Sequence, residues 1–124
     1  MKIIRTSLIL AAGGMLAAPV LAHHSFSMFD MQKEMTISGT VKEFQWTNPH
    51  AWVQILVKGE DGKVVEWSIE GNSPSVLARQ GWTKRSLKTG DVVTVTIHPM
   101  RDGSAGGAIV KMLGADGKQI GDTP

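Results

Sequence analysis

The residues of this chain best suited to chemistry are its four histidines, two of which are adjacent at positions 23 and 24. The other two are His50, which follows Asn48-Pro49, and His98, which precedes Pro99. A neutral imidazole is a good ligand for copper, zinc and nickel. The chain has no cysteine, which excludes thiolate, iron–sulfur and blue-copper sites. Nitrogen ligation of a metal ion is therefore the chemistry that these residue types favour.

The residues before His23 have the pattern of a cleavable secretory signal. Lys2 and Arg5 give a positive start, and an apolar stretch rich in Leu, Ile and Ala follows. Val20 and Ala22 are the small residues expected three and one positions before the cut. The apolar stretch is shorter than the roughly 20 residues that cross a bilayer, so cleavage is expected rather than an anchor. Residues 1–22 are predicted to be a cleaved signal peptide, and the mature protein to be periplasmic with no stable membrane insertion.

Cleavage after Ala22 would make His23 the first residue of the mature protein. Its α-amine has a reference pKa of about 7.7–8.0, so a metal ion can displace the amine proton near neutrality. Amine, ring and a second imidazole give a three-nitrogen site that resembles the copper sites called histidine braces. Copper(II) favours nitrogen ligation and is the most tightly bound divalent ion of its series. We therefore predict a metal site, with copper as its cofactor, that draws on His23, His24, His50 and His98, the first three ranking above the last.

These residues also have ordinary structural interpretations. The amino-terminal histidine pair could be a solvated chain end, His50 could hold its turn through a hydrogen bond, and His98 could be an exposed strand-end residue. Three methionines, Met28, Met31 and Met35, carry a similar ambiguity. Thioethers suit copper(I), but a spacing of three and four residues is typical of one apolar helical face. Packing against the rest of the protein is the preferred interpretation for the methionines.

A second candidate site combines tryptophans with the turn that contains Asn48. Trp46 and Trp52 bracket this turn, and Trp52 falls on the more polar face of its strand. The alternative to a metal site is therefore a Trp-lined groove that binds a non-metal ligand or a protein partner of the cell envelope. Glu70, near a predicted helix start, could be a ligand or accept hydrogen bonds from backbone amides. The predicted groove is lined by Trp46, Asn48, Trp52 and Glu70. No motif frames a nucleophile and no acid–base pair is evident, so no enzyme activity is predicted.

The charge balance bears on the choice of partner. The whole chain has 13 Lys and Arg against 11 Asp and Glu, and the predicted leader holds two of the basic residues and none of the acidic ones. The mature chain is then formally neutral, at 11 against 11. A neutral domain lacks the basic stripe that nucleic-acid binding uses. The expected partner is therefore a metal ion or small ligand, and nucleic acid is not expected.

The elements that must position these residues are strands with one short helix. Alternating apolar residues predict strands over 36–46, 51–58, 64–70, 92–98 and 108–113, with a bulge near Glu43. Ser73-Pro74 is typical of a helix start, and Gly81 can end that helix. Residues 100–107 are predicted to form a Gly-rich connection, and residues 118–120 a short closing strand.

This order of elements predicts the fold class. Three strands, a helix and two strands correspond to a small five-stranded OB-type barrel, mainly β, with one short helix between strands 3 and 4. A small antiparallel sandwich is the alternative. The predicted domain organisation is a signal peptide over 1–22, a lead-in segment over 23–35 and the barrel over 36–124.

Several short motifs lie along the mature chain: His23-His24-Ser25-Phe26 with Phe29-Asp30, Gly39-Thr40-Val41, Trp46-Thr47-Asn48-Pro49-His50-Ala51, Trp67-Ser68-Ile69-Glu70 before Ser73-Pro74, Gly81-Trp82 and Gly90-Asp91. With these motifs the chain resembles a family of small exported proteobacterial proteins that is catalogued as a domain of unknown function. Asn-Pro-His-Ala after a Trp-bearing strand is the most specific of them. The resemblance covers nearly all of the mature chain. It implies export and a compact β-domain, but no activity.

Overall fold

Five strands with aliphatic inward-facing residues close into a barrel. The structure, a computed structural model, describes residues 26–122. The strands are β1 (Met35–Gln45), β2 (Trp52–Lys58), β3 (Val64–Glu70), β4 (Val92–Pro99) and β5 (Gly106–Leu113). They neighbour one another in the order β1-β2-β3-β5-β4, β4 pairs back onto β1, and β3 runs parallel to β5. The predicted mainly-β, five-stranded barrel of OB type is confirmed.

The long first strand closes the barrel by pairing with two partners. Its first half pairs with β4 and its second half with β2, and Thr40 pairs with both. The register with β2 shifts between Val41 and Glu43, which confirms the predicted bulge. Such a bulge bends the strand and strengthens its twist. The interior is filled by aliphatic side chains, none more than 7% exposed: Ile37, Val41, Val53, Ile55, Ile69, Val93, Val95, Ile97 and Met112.

One short helix, α1 (Pro74–Arg79), lies between β3 and β4, as predicted. The Ser73 hydroxyl accepts a hydrogen bond from the backbone amide of Val76, and proline occupies the first turn. Gly81 follows the helix with a φ of 83°, which suits glycine because it lacks a Cβ. Leu77 and Trp82 pack this element against the core. Neither this helix nor the 3-10 turn within residues 26–122 has the length and apolar character to cross a membrane.

Residues 26–34, here called the strap, lie against the outer surface of the barrel. Phe29 is only 3% exposed and forms an antiparallel bridge with Met100. Backbone hydrogen bonds on both sides of the bridge join the strap to the end of β4, from Asp30 N to Pro99 O (2.8 Å) and from Arg101 N to Met28 O (2.9 Å). The strap is therefore a short added strand with one aromatic anchor.

The predicted packing of the three methionines is wrong. Met28, Met31 and Met35 are 42%, 46% and 37% exposed. The helical spacing misleads because the strap contains only a three-residue 3-10 turn, Phe26–Met28, and continues through a bridge at Phe29 and a turn that begins at Asp30. Phe29 is the strap's buried residue instead.

The Gly-rich connection is shorter than predicted because part of it is strand. β5 begins at Gly106 rather than at position 108, and Gly106 pairs with Ser68 of β3. A Cβ on Gly107 would lie 2.6 Å from the carbonyl oxygen of His98, so only glycine lets β4 and β5 approach this closely. The predicted closing strand over 118–120 is reduced to a single bridge between Leu113 and Gln119.

Candidate functional site

One lateral row of the barrel brings His98 and Glu70 to the same patch of the outer surface. Ala108 of β5 pairs with His98 of β4 on one side and with Glu70 of β3 on the other. Directly paired residues project from the same face of a sheet. Ile97 and Ile69, which precede the two residues, are fully buried in the barrel interior. His98 and Glu70 therefore project outward, on either side of a residue whose side chain is a single methyl group.

The two side chains line a pocket of about 250 Å³ between the barrel and the strap. Its remaining walls are Phe26, Met31, Gly71, Asn72, Ala108, Ile109 and Val110. The side chain of Glu70 is only 8% exposed. An ionised carboxylate in such a place is costly unless it is hydrogen-bonded, paired with a charge or bound to a cation. The pocket thus combines an imidazole and a buried carboxylate, two of the side chains that bind metal ions in proteins.

The His98 ring is held in one orientation by the strap. Its Nδ1 lies 2.7 Å from the carbonyl oxygen of Lys33. A carbonyl oxygen only accepts hydrogen bonds, so Nδ1 carries the proton and Nε2 keeps its lone pair in the neutral ring. Metal-binding histidines are commonly oriented in this way, by a carbonyl on the nitrogen that does not bind the metal. His98 is therefore already in the tautomer that a metal ion needs.

His50 contacts the Glu70 carboxylate but does not line the pocket. Its Nδ1 is 3.1 Å from the carbonyl oxygen of Gly71 and 3.4 Å from Oε1 of Glu70. The turn that carries it contains a cis peptide bond between Asn48 and Pro49. The His50 ring thus joins this turn to the end of β3 and contacts the Glu70 carboxylate.

The four predicted metal ligands fall into two groups. His23 and His24 lie outside the described residues. His50 and His98 are both described, and Glu70, which the sequence suggests as a groove residue or a ligand, contacts His50 and lines the same pocket as His98. Within residues 26–122, no three His, Asp or Glu side chains are close enough together to hold a metal ion.

The four predicted groove residues do not share one pocket. Trp46 packs against the core and meets Phe44 edge-on, with ring centroids 5.8 Å apart, while Asn48 is exposed in the turn. Trp52 faces a separate apolar pocket of about 170 Å³. That second pocket is lined by Met28, Phe29, Trp52, Ser68, Met100, Ser104, Ala105 and Gly106. Trp52 of β2 and Glu70 of β3 are directly paired across the two strands, but they line different pockets.

Two described side chains that lie away from the His98 pocket have pKa values shifted by their hydrogen-bond partners. In the β4–β5 loop, the hydroxyl and the backbone amide of Ser104 donate to Asp102, and these bonds hold the pKa of that carboxyl below its usual value. On the barrel surface, the hydrogen bond and charge of Glu66 raise the pKa of Lys42. The Asp102–Ser104 contact fixes the loop that borders the second pocket.

Comparison with known proteins gives a family and several structural neighbours. The model of a family of unknown function, DUF6152, matches residues 12–110, which confirms the resemblance to a domain of unknown function. No curated protein matches the chain. One crystal form of Rim1, a mitochondrial single-stranded DNA binding protein from S. cerevisiae, shares 17% identity with a TM-score of 0.49 and covers 67% of this chain and 94% of its own. A second form shares 14% identity with a TM-score of 0.47 and covers 74% of this chain and 97% of its own.

These neighbours correct one prediction about partners. The neutral charge of the mature chain led to the expectation of no nucleic acid; the similar solved structures are single-stranded DNA binding proteins, and that exclusion is therefore not retained. Net charge describes a whole chain, whereas binding depends on how charges and rings are arranged locally. Identities of 14–17% bear on the fold alone, and a shared fold does not imply a shared function.

Proposed function

We propose that this chain, which belongs to the DUF6152 family of unknown function, is an exported periplasmic protein that binds a metal ion, with copper as the preferred metal. The observation that carries the proposal is the outward row in which His98 and Glu70 lie on either side of Ala108. One strand, β5, lies between them, so their Cα atoms are two inter-strand spacings apart, a distance of roughly 10 Å. Imidazole and carboxylate side chains can both reach an ion held above the small Ala108 side chain.

The remaining ligands would come from the new amino terminus. The proposal includes cleavage after Ala22, so that His23 begins the mature protein. Three residues of extended chain span at most about 11 Å, so His23 lies within that distance of Phe26, which lines the pocket. The α-amine and ring of His23, together with the ring of His24, are therefore within reach of the ion.

This ligand set favours copper over harder metal ions. Amine and imidazole nitrogens suit the later first-row metals, and copper(II) binds most tightly among the divalent ions of that series. The ordered Nδ1 contact of His98 and its place in the pocket favour it as the distant imidazole, ahead of His50. In this arrangement His50 orients the Glu70 carboxylate rather than binding the ion.

Replacing His98 tests which imidazole completes the site. We expect His98→Gln to weaken Cu(II) binding by at least about tenfold, because it removes the Nε2 ligand while its amide can still donate to the Lys33 carbonyl. His50→Gln should produce a smaller loss. The affinity is measured by competition with a chromophoric Cu(II) chelator, and native mass spectrometry of the mature protein gives the stoichiometry. A large loss in His50→Gln with no loss in His98→Gln would move the site to the turn between β1 and β2.

A second candidate function is favoured by the apolar pocket beside Trp52. Its volume of about 170 Å³ compares with the roughly 150 Å³ of a protein cavity that holds benzene. Thioethers such as those of Met28 and Met100 pack well against the edges of aromatic rings. A small aromatic molecule is therefore the ligand that this pocket would take, independently of any metal.

Indole is a suitable probe of this second function. In a titration of ¹⁵N-labelled mature protein, we expect saturable shifts at the amides of Trp52, Ser68 and residues 104–106, and their loss in Trp52→Leu. The two functions can be separated because His98→Gln should still bind indole and Trp52→Leu should still bind Cu(II). Shifts spread over the whole barrel, or retained in Trp52→Leu, would show that indole does not occupy this pocket.

A further inference from the structure

We infer that Met31 is a thioether ligand of the His98 pocket, which lets the site hold Cu(I) as well as Cu(II). The inference rests on the proposed function, because it adds a residue to the same site. Met31 lines the pocket together with His98 and Glu70. Three exposed methionines lie near one another in the sequence. Of these, only Met31 is among the residues that form the walls of this pocket.

A hydrogen-bonded turn fixes the backbone that carries Met31. Lys33 N donates to the carbonyl of Asp30 at 3.0 Å, and Gln32 N donates to the Asp30 side chain at 3.2 Å. Asp30 N in turn donates to Pro99 O at 2.8 Å, which ties the turn to the end of β4. Met31 therefore has a defined backbone position at the pocket edge even though its side chain is exposed.

The same turn is bonded to the His98 ring. The carbonyl that accepts from His98 Nδ1 belongs to Lys33, two residues after Met31. One contact thus fixes both the orientation of the imidazole and the turn that presents the thioether. The imidazole and the backbone that carries the thioether are held on one unit, so the position of Met31 relative to His98 is set before any ion binds.

The chemistry of the thioether identifies the ion. Methionine sulfur is a soft, uncharged ligand that suits Cu(I), whereas nitrogen and carboxylate ligands suit Cu(II). Met31 is 46% exposed and is not part of the hydrophobic core, so packing does not account for its side chain at this position. A pocket with imidazole, carboxylate and thioether groups offers suitable ligands to both oxidation states.

The test compares two methionines of the strap that have similar exposure. Met31→Leu keeps the volume and apolar character of the side chain and should leave the fold unchanged. Met28→Leu is the matched control, because Met28 is 42% exposed but lines the other pocket. Cu(I) affinity is measured without oxygen by competition with bathocuproine disulfonate, and Cu(II) affinity by the competition described above. We expect Met31→Leu to weaken Cu(I) binding by at least about tenfold and to change Cu(II) binding by less than about threefold.

A second measurement reports on the sulfur directly. In protein labelled with ¹³C at the methionine methyl groups, Cu(I) should shift the Met31 signal and leave the Met28 signal in place. Unchanged Cu(I) affinity in Met31→Leu, together with an unmoved Met31 methyl, would overturn the inference while wild-type Cu(II) binding still supports the proposed function. A wild-type mature protein that binds neither ion would instead overturn the proposed function itself.

Discussion

Blocking the α-amine of His23 is expected to weaken Cu(II) binding by the mature protein more than about 100-fold. The proposed site uses the amine and the ring of the same residue, so they bind as one chelate. Removing the amine removes one ligand and also releases the ring from its fixed position. Loss of an outer group that only orients a ligand typically costs 10–100-fold in metal affinity, and a directly bound nitrogen should cost more.

The block is best made with a glutamine added before His23 and cyclised to pyroglutamate. This change leaves both imidazoles intact and provides no basic amine. An ordinary one-residue extension is unsuitable, because it would place His24 third from a free amine, an arrangement that itself chelates Cu(II). The competition assay with a chromophoric chelator gives the affinity, and the nitrogen splitting in the electron paramagnetic resonance spectrum shows how the ligand set changes.

A synthetic peptide of residues 23–30 is the control for binding by the amino terminus alone. It carries the same free amine and both histidines but lacks His98 and Glu70. We expect the intact mature protein to bind Cu(II) at least about tenfold more tightly than this peptide, because the pocket adds ligands. Equal affinity of protein and peptide would place the ion away from the barrel. Equal affinity of blocked and unblocked protein would remove the amine from the site.

Local patterns in the sequence predict much of the barrel because its strands and turns follow local rules. The strand over 64–70 and the helix after Ser73 agree with the structure, since alternation, a capping serine and a following glycine act within a few residues. The start of β5 at Gly106 is different. It depends on parallel pairing with β3, which lies far away in sequence, and on glycines that permit close approach. Pairing with a strand that is distant in sequence produces no alternation of apolar and polar residues in the segment itself.

The site is harder to predict for the same reason. Glu70 and His98 lie near the ends of β3 and β4, which follow one another in the chain but are not neighbours in the sheet, and the two residues share one row only because β5 inserts between these strands. The OB strand order places β5 between β3 and β4, which is a partial signal for the pair, but the register that puts both residues beside Ala108 does not follow from the strand order. Met31 could not be chosen from the sequence, because a spacing of three and four suggests a helix where the strap forms a turn and a bridge.

Replacing Gly39 by alanine should destabilise the closure of the barrel through β1. Gly39 lies beside Thr40, where β1 passes from its pairing with β4 to its pairing with β2. A Cβ at this position would overlap the carbonyl oxygen of Leu56 and lie 2.8 Å from Cγ2 of Ile55. The first obstacle is backbone, which cannot rotate away as a side chain can. We therefore expect Gly39→Ala to lower the free energy of unfolding by about 3 kcal/mol or more, at the upper end of the cost of overpacking.

Gly71→Ala is the matched control, because a Cβ there would meet its nearest neighbour, the carbonyl oxygen of Ala51, at an ordinary 3.5 Å. Its unfolding free energy should stay within about 1 kcal/mol of the wild type. Urea unfolding followed by tryptophan fluorescence measures both variants. If Gly39→Ala is as stable as Gly71→Ala, the backbones of β1 and β2 do not approach each other closely at Gly39. If it is destabilised but still folded at low temperature, retained Cu(II) binding would show that the metal site depends on the local β3-β5-β4 row and not on closure through β1.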